Sequence, residues 1–352
     1  MRVATPLYGW THHPHGSWLV ADHPQWAKWG WLRPPPNGQG VAQPLPQPIG
    51  GQKSLRSQAV RTVKSPSKWL RLHPNGHELE RTIQGLECTQ DLNLSHNSFG
   101  GNLPINLSHC TQHRVLDVVD NKLVGQIPEQ FSSLSKLIFL QLAVNNLTGS
   151  ILAWIGNFSS LHVLSLLRNN LQGCIPSELG HLSSLEFFHI GANNLSGTIP
   201  PQIYNISSIY LFSVTQNRLH GSLPPDVGFT LPNLETFVGG LNSFTGPIPV
   251  SLSNASRLRS LKFGHNDLTR TVPQNLGRLR HLVLALGYNQ FGGVLSNSIA
   301  NLSSQLNSLT LVGNMIHGGI PIGIGNLVNL DALGLENNYL GSHLPDALGK
   351  LL

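Results

Sequence analysis

Phe139, Gln141, Arg168, Phe187 and His189 have the types and spacing that best fit a piece of chemistry, and that chemistry is non-covalent recognition. Aromatic rings, a guanidinium and an imidazole dominate protein interfaces because they bury large rigid surfaces while keeping directional polar contacts. These side chains are expected to be exposed on one face, the alternative being that Phe139 and Phe187 pack against neighbouring strands. Lys262, His265 and Tyr288 form a second set further along the chain, beside Gly239, Gly240, Gly264 and Gly287. The glycines are expected to leave the surface bare, so that an extended peptide backbone can approach, with acidic groups near Arg168 and Lys262. Catalysis finds no such set. The "HRD" and "DFG" motifs of kinases do not occur, and "GIGNLV" at 323–328 lacks the third glycine of a dinucleotide loop, so no catalytic residue and no cofactor is expected. Three imidazoles in "THHPHG" have no second ligand group at zinc-site spacing, and no metal is expected.

A repeat positions these side chains. Asn97, Asn121, Asn145, Asn169, Asn193, Asn217, Asn242, Asn266, Asn289, Asn314 and Asn338 are separated by 24 residues, apart from two steps of 25 and one of 23. An apolar residue follows each Asn by two positions and another precedes it by five, as Leu92, Leu116 and Leu140 do. The pattern L-x-x-L-x-L-x-x-N at a period in the twenties is that of a leucine-rich repeat. In "LHVLSLLRNNL", Leu161, Leu164 and Leu166 should enter the core while Ser165 and Leu167 face the other way. The Asn then turns inward, and stacked copies can satisfy buried backbone groups as a ladder. Gly173 permits positive φ and Pro176 fixes φ where no ladder donor is needed.

The fold class expected is an α/β repeat solenoid, a curved right-handed superhelix with a concave parallel β-sheet. Its strands should centre near Leu116 to Val118 and Leu140 to Leu142. One coil cannot bury its apolar face alone, so neighbours hold each coil in place. That support should tolerate Arg270 and Ser342 in place of the repeat's Gly, and Leu152 and Ser296 in place of its Pro. A local break in curvature is expected between Asn266 and Asn289, where the step falls to 23.

Of the 352 residues, 40% are hydrophobic and 11% charged, enough apolar sequence for a sizeable core. Residues 1–86 hold ten Lys and Arg against three Asp and Glu, and the remainder twelve against thirteen. The basic excess therefore belongs to a Trp-, His- and Pro-rich leader read as disordered or non-native, and 87–352 to a solenoid of about eleven repeats truncated at its C-terminus. With no basic stripe on the repeats, nucleic acid is not an expected partner. No apolar run resembles a signal peptide, and none reaches the roughly 18 residues of a membrane span. Cys88, Cys110 and Cys174 form no Cys-x-x-Cys pair and are read as structural thiols without a disulfide framework. Asn93, Asn106, Asn146, Asn157, Asn194, Asn205, Asn254 and Asn301 each begin N-x-S/T, making them candidate glycan acceptors of a secretory protein.

The phrase "LHVLSLLRNNLQGCIPSELGHLSSL" is similar to the plant-type leucine-rich repeat. Together with "GFTLPNLETF", "IANLSSQLNSLTL" and "GNLVNLDALGLENNYLGSHLPDALGKL", it makes residues 89–352 resemble ectodomains of plant receptor-like kinases, above all the subfamily that senses microbial peptides. The resemblance implies an extracellular module in immune or developmental signalling, on the outer face of the plasma membrane, that binds a peptide or protein ligand. In that family a membrane helix and a Ser/Thr kinase follow, and a co-receptor kinase docks near the C-terminal repeats. The chain departs from the family in lacking its paired-cysteine caps. Two alternatives stand beside this one: a secreted leucine-rich-repeat inhibitor of cell-wall-degrading enzymes, and a truncated non-functional gene product.

Overall fold

The structure, a computed structural model, describes residues 88–279, 282–295, 306 and 308–351. The leader and the positions Ser296 and Asn301 lie outside them. Each coil opens with a three-residue strand whose central side chain is apolar and points inward. These strands are β1 (Asp91–Asn93), β2 (Val115–Asp117), β3 (Phe139–Gln141), β4 (Val163–Ser165), β5 (Phe187–His189) and β6 (Leu211–Ser213). They continue with β7 (Thr236–Val238), β8 (Ser260–Lys262), β9 (Val283–Ala285), β10 (Ser308–Thr310) and β11 (Ala332–Gly334). All eleven join in chain order into one parallel sheet. Each strand sits one residue earlier than the sequence pattern implied. Val118 and Leu142 fall just beyond their strands but remain in the core, and Val118 N still donates to Gln141 O at 2.9 Å.

The turn after each strand is closed by the inward asparagine. Asn169 Nδ2 donates to Leu166 O and Leu167 O of its own coil at 3.2 and 3.3 Å, and to Leu142 O of the previous coil at 3.0 Å. Its Oδ1 accepts from Leu147 N at 3.0 Å. The same contacts recur at Asn193 and Asn289, so the ladder survives the 23-residue step. The residue before the asparagine lies in the left-handed region, among them Val144 (φ 56°), Arg168 (φ 52°), Leu241 (φ 56°) and Tyr288 (φ 55°). The sequence reading assigned positive φ only to the glycine four positions later. That site also has positive φ, at Gly173 (80°) and at its replacements Arg270 (69°) and Ser342 (76°).

Across from the sheet, short 3-10 helices such as Glu129–Ser133 and Ser177–His181 close most of the described coils behind an extended N-terminal residue, and the α-helical turn Val227–Thr230 closes another. Leu152, at φ −91° and ψ 136°, adopts that extended geometry where other coils use Pro. Between coils, rings of Phe188, Phe212, Phe237 and Phe263 stack edge to face at centroid distances of 5.1, 5.2 and 4.8 Å. Phe263 does not occupy the same row as the other three. It fills the space that Gly239 leaves in the core, where a Cβ on Gly239 would stand 2.4 Å from the ring. Gly239 is thus buried, correcting the expectation that it lies on the surface.

Concave pairing runs unbroken through β8, β9 and β10 where a break in curvature was expected. The neighbouring lateral face is interrupted there, as it also is at the isolated bridge between Ser150 and Gln172, in coils of ordinary length. A five-stranded sheet there ends at Asp267–Leu268, and the next coil contributes only the isolated bridge between Val294 and His317. A second correction concerns the cysteines. Cys88 and Cys110 form a disulfide with Cα atoms 5.0 Å apart, because their separation of 22 residues is nearly one coil and brings one above the other. Cys174 is free and exposed.

Two substitutions check this account by chemical denaturation. Asn169→Leu leaves the Leu147 N–H unpaired and takes one of two donors from the Leu142 carbonyl, which keeps Asn145 Nδ2, and should cost about 1–3 kcal/mol. Arg270→Gly should stabilise by up to about 1 kcal/mol, because the exposed Arg270 side chain gives up little burial while the left-handed strain, about 1–2 kcal/mol, is relieved.

Candidate functional site

In-register stacking turns each strand position into a row across the concave face. The first position reads Val115, Phe139, Val163, Phe187 and Leu211, then changes to Thr236 and Ser260. The apolar part is half-buried along its whole length: strand neighbours cover the sides of each group and leave the top to solvent. Phe139 and Phe187 are therefore half-covered, between the exposure and the packing against neighbouring strands that the sequence left as alternatives. Phe187 meets Tyr210, on the next coil, edge to face at 6.3 Å. Val163, Tyr210 and Leu211 belong to this surface and were missed in the sequence, where they read as ordinary strand residues. For Val163 and Leu211 the signal was available as register, since each stands one coil from Phe187, whereas Tyr210 is in register with Glu186 and reaches Phe187 diagonally.

The third position forms a polar row beside it: Asp117, Gln141, Ser165, His189 and Ser213. Asp117 is gripped from both sides, by Asn93 Nδ2 at 3.4 Å and Gln141 Nε2 at 3.2 Å, and Val119 N donates to its other oxygen at 3.1 Å. Burial raises its carboxyl pKa, opposed by the Val119 N–H and the charge of His96. Gln141 is consequently a positioned donor. His189 lies edge to face with Phe187 at 5.8 Å, and its Nδ1 is sealed from solvent with no hydrogen-bond partner among the described residues. Desolvation pushes its pKa down to about 4, so the imidazole is neutral at ordinary pH.

Arg168 projects from the left-handed turn beside β4, and the two sets of sequence candidates do not merge. Lys262 lies on β8, three strands beyond His189, or about 14 Å at the usual strand spacing. Burial lowers its amine pKa. His265 and Tyr288 stack at 4.3 Å, 16° from parallel, and the far side of Tyr288 rests on Gly313, where an added Cβ would stand 2.7 Å from the ring. Cβ atoms on Gly240 and Gly264 would come within 3.0 and 3.1 Å of carbonyl oxygens on the next coil. Those glycines serve close coil stacking. Among the described residues no group of three or more His, Cys, Asp or Glu could hold a metal, and no helix is long and apolar enough to cross a membrane.

The Leucine Rich Repeat family model matches residues 88–110 and 160–182. The LRR receptor-like serine/threonine-protein kinase EFR of Arabidopsis thaliana is 58% identical over 53 residues, which are 15% of this chain and 5% of that protein. Among solved structures, a TDR receptor superposes with a TM-score of 0.71 at 31% identity, covering 75% of this chain and 45% of that one. The Arabidopsis receptor kinase HAESA ectodomain, in complex with an N-terminally extended IDA peptide hormone ligand, gives 0.70 at 28% identity, covering 74% and 44%. This chain is a plant-type leucine-rich-repeat solenoid. It resembles the ectodomains of plant receptor kinases, and it spans less than half the length of these receptor chains.

Within this solenoid the sequons fall on different faces. Asn106, Asn157, Asn205 and Asn254 are exposed on the 3-10 helices of the convex side. Asn146 and Asn194 are exposed at the start of lateral strands. Asn93 differs. It lies half-buried on β1, where its Oδ1 accepts from Ser95 N and Oγ at 3.0 and 2.7 Å and its Nδ2 donates to Asp117; of the exposed sequons, Asn254 also has its Nδ2 engaged, by Ser251 O at 2.9 Å.

The state of His189 sets a pH dependence. An unfolded chain takes up the proton below pH 6.5, whereas the folded imidazole resists it down to about 4, so His189 makes stability fall as pH drops through that window. His189→Asn should flatten this part of the acid limb in thermal melts collected from pH 7 to pH 4.

Proposed function

We propose that this solenoid is an extracellular, non-catalytic recognition module that binds an extended peptide along its concave face. The apolar row from Phe139 through Val163 and Phe187 to Leu211 carries this reading. A half-exposed stripe of large apolar groups has no role in closing the coils, whose cores are filled by the central strand positions, and such stripes mark interaction surfaces. Gln141 and the neutral His189 lie alongside to meet the ligand's backbone, and Arg168 and Lys262 offer charges for acidic groups. The peptide hormone held by the HAESA ectodomain supports the same ligand class by similarity.

The module in this reading comprises residues 87–352, with the leader outside it, and carries glycans on the convex and lateral sequons. In a full-length receptor it would face the cell exterior, ahead of a membrane helix and kinase. A co-receptor kinase would join on ligand binding, and the output would be immune or developmental signalling.

The test is selection of phage-displayed peptides on the wild-type chain, followed by affinity measurement. Phe187→Ser and Leu211→Ser should each weaken selected peptides by about tenfold or more, with the melting curve confirming the fold. Peptides whose affinity is untouched by both changes would move ligand binding off the concave face.

A further inference from the structure

A separate groove lies on the flank where the chain enters the first concave strands. It has a volume of 350 Å³ and is lined by Gln90, Gln112, Arg114, Lys136, Ile138 and Ser160. Arg114 and Lys136 come from consecutive coils and both are exposed. Their placement is built in. Lys136 Nζ donates to Gln112 Oε1 at 2.6 Å, which holds the ammonium at the groove. The Arg114 carbonyl accepts from Ile138 N and Phe139 N at 2.8 and 3.1 Å, which fixes the root of the guanidinium against the next coil.

No carboxylate lines the groove, and neither cation has an ion-pair partner among the described residues. Further along the same flank, the positions equivalent to Arg114 become Ile138, His162, Glu186, Tyr210 and Glu235, and a cation returns at this position only at Arg259, beyond two carboxylates. Arg257, also on this flank, is held by Asn233 Oδ1 at 2.9 Å.

Two uncompensated cations, surrounded by amide and hydroxyl donors over an aliphatic floor, make a particular donor set. A planar carboxylate would be satisfied by the forked guanidinium alone. A tetrahedral oxyanion has further lone pairs, which the ammonium, the Gln90 amide and the Ser160 hydroxyl can fill. We propose that this groove binds a phosphate or sulfate ester borne by a ligand or partner, with Arg114 and Lys136 clasping the oxyanion and Ile138 packing against the carbon that carries it. The site is independent of the concave row, and it stands or falls without the peptide reading.

The experiment is calorimetric titration of the whole chain with sodium sulfate and with sodium phosphate, at ionic strength held constant with sodium chloride. Saturable binding of at least one anion is expected, and the tighter of the two identifies the ester class. Arg114→Gln and Lys136→Gln should each weaken it by about tenfold, while Arg257→Gln leaves it unchanged. Unaltered melting temperatures would show that all three variants fold. A response that does not saturate, or one that Arg257→Gln diminishes as much as the groove variants do, reports bulk charge and overturns the proposal.

Discussion

The asparagine that closes each turn is the constraint on which the rest of this solenoid depends. Its amide binds two carbonyls of its own coil and one of the coil before, while its oxygen takes an N–H from that previous coil. These backbone groups lie inside the turn, away from water, and leaving them unpaired would cost more than most side-chain contacts return. Satisfying them requires successive coils to align within hydrogen-bond tolerance. Everything else inherits that alignment: the in-register concave sheet, the column of buried aliphatic and aromatic side chains, and the left-handed residue that swings the asparagine inward.

The concave rows follow from this geometry. Once register is fixed, residues 24 positions apart become neighbours about 4.8 Å apart, and a surface is written down the coils instead of along the chain. Phe139, Val163, Phe187 and Leu211 are scattered in sequence but contiguous in space. Because the asparagines and central strand residues provide cohesion, these outward positions are free to vary in chemistry. The neutral His189, the gripped Asp117 and the clasped Lys136 show three ways in which neighbouring coils set the state of an outward side chain.

Much of this was legible in the sequence because the repeat states its own period. The inward asparagines, the apolar strand centres and the glycine turn each recur often enough to be read directly. What escaped the reading depends on which coil lies next. Gly239 looked like a surface gap until Phe263 was seen to fill it, and Tyr210 and Leu211 gained meaning only beside Phe187. The disulfide escaped for the same reason, since a spacing of 22 residues becomes a contact only when the coil between the two cysteines is closed. The left-handed residues before each asparagine escaped for a different one. Val, Arg, Leu and Tyr do not announce positive φ, and only the demands of the turn impose it.

Gly239 and Phe263 also bear on how such an array can grow or shrink. Repeats of equal length invite the view that any coil can be spliced out without disturbing the others. Here, excision of the 25-residue coil between Asn217 and Asn242 would remove Gly239 and bring Phe263 against Val214, whose side chain occupies the space the ring needs. The two coils are a matched pair, exchangeable only together, and a recombination boundary between them would be selected against even though the period on either side is intact.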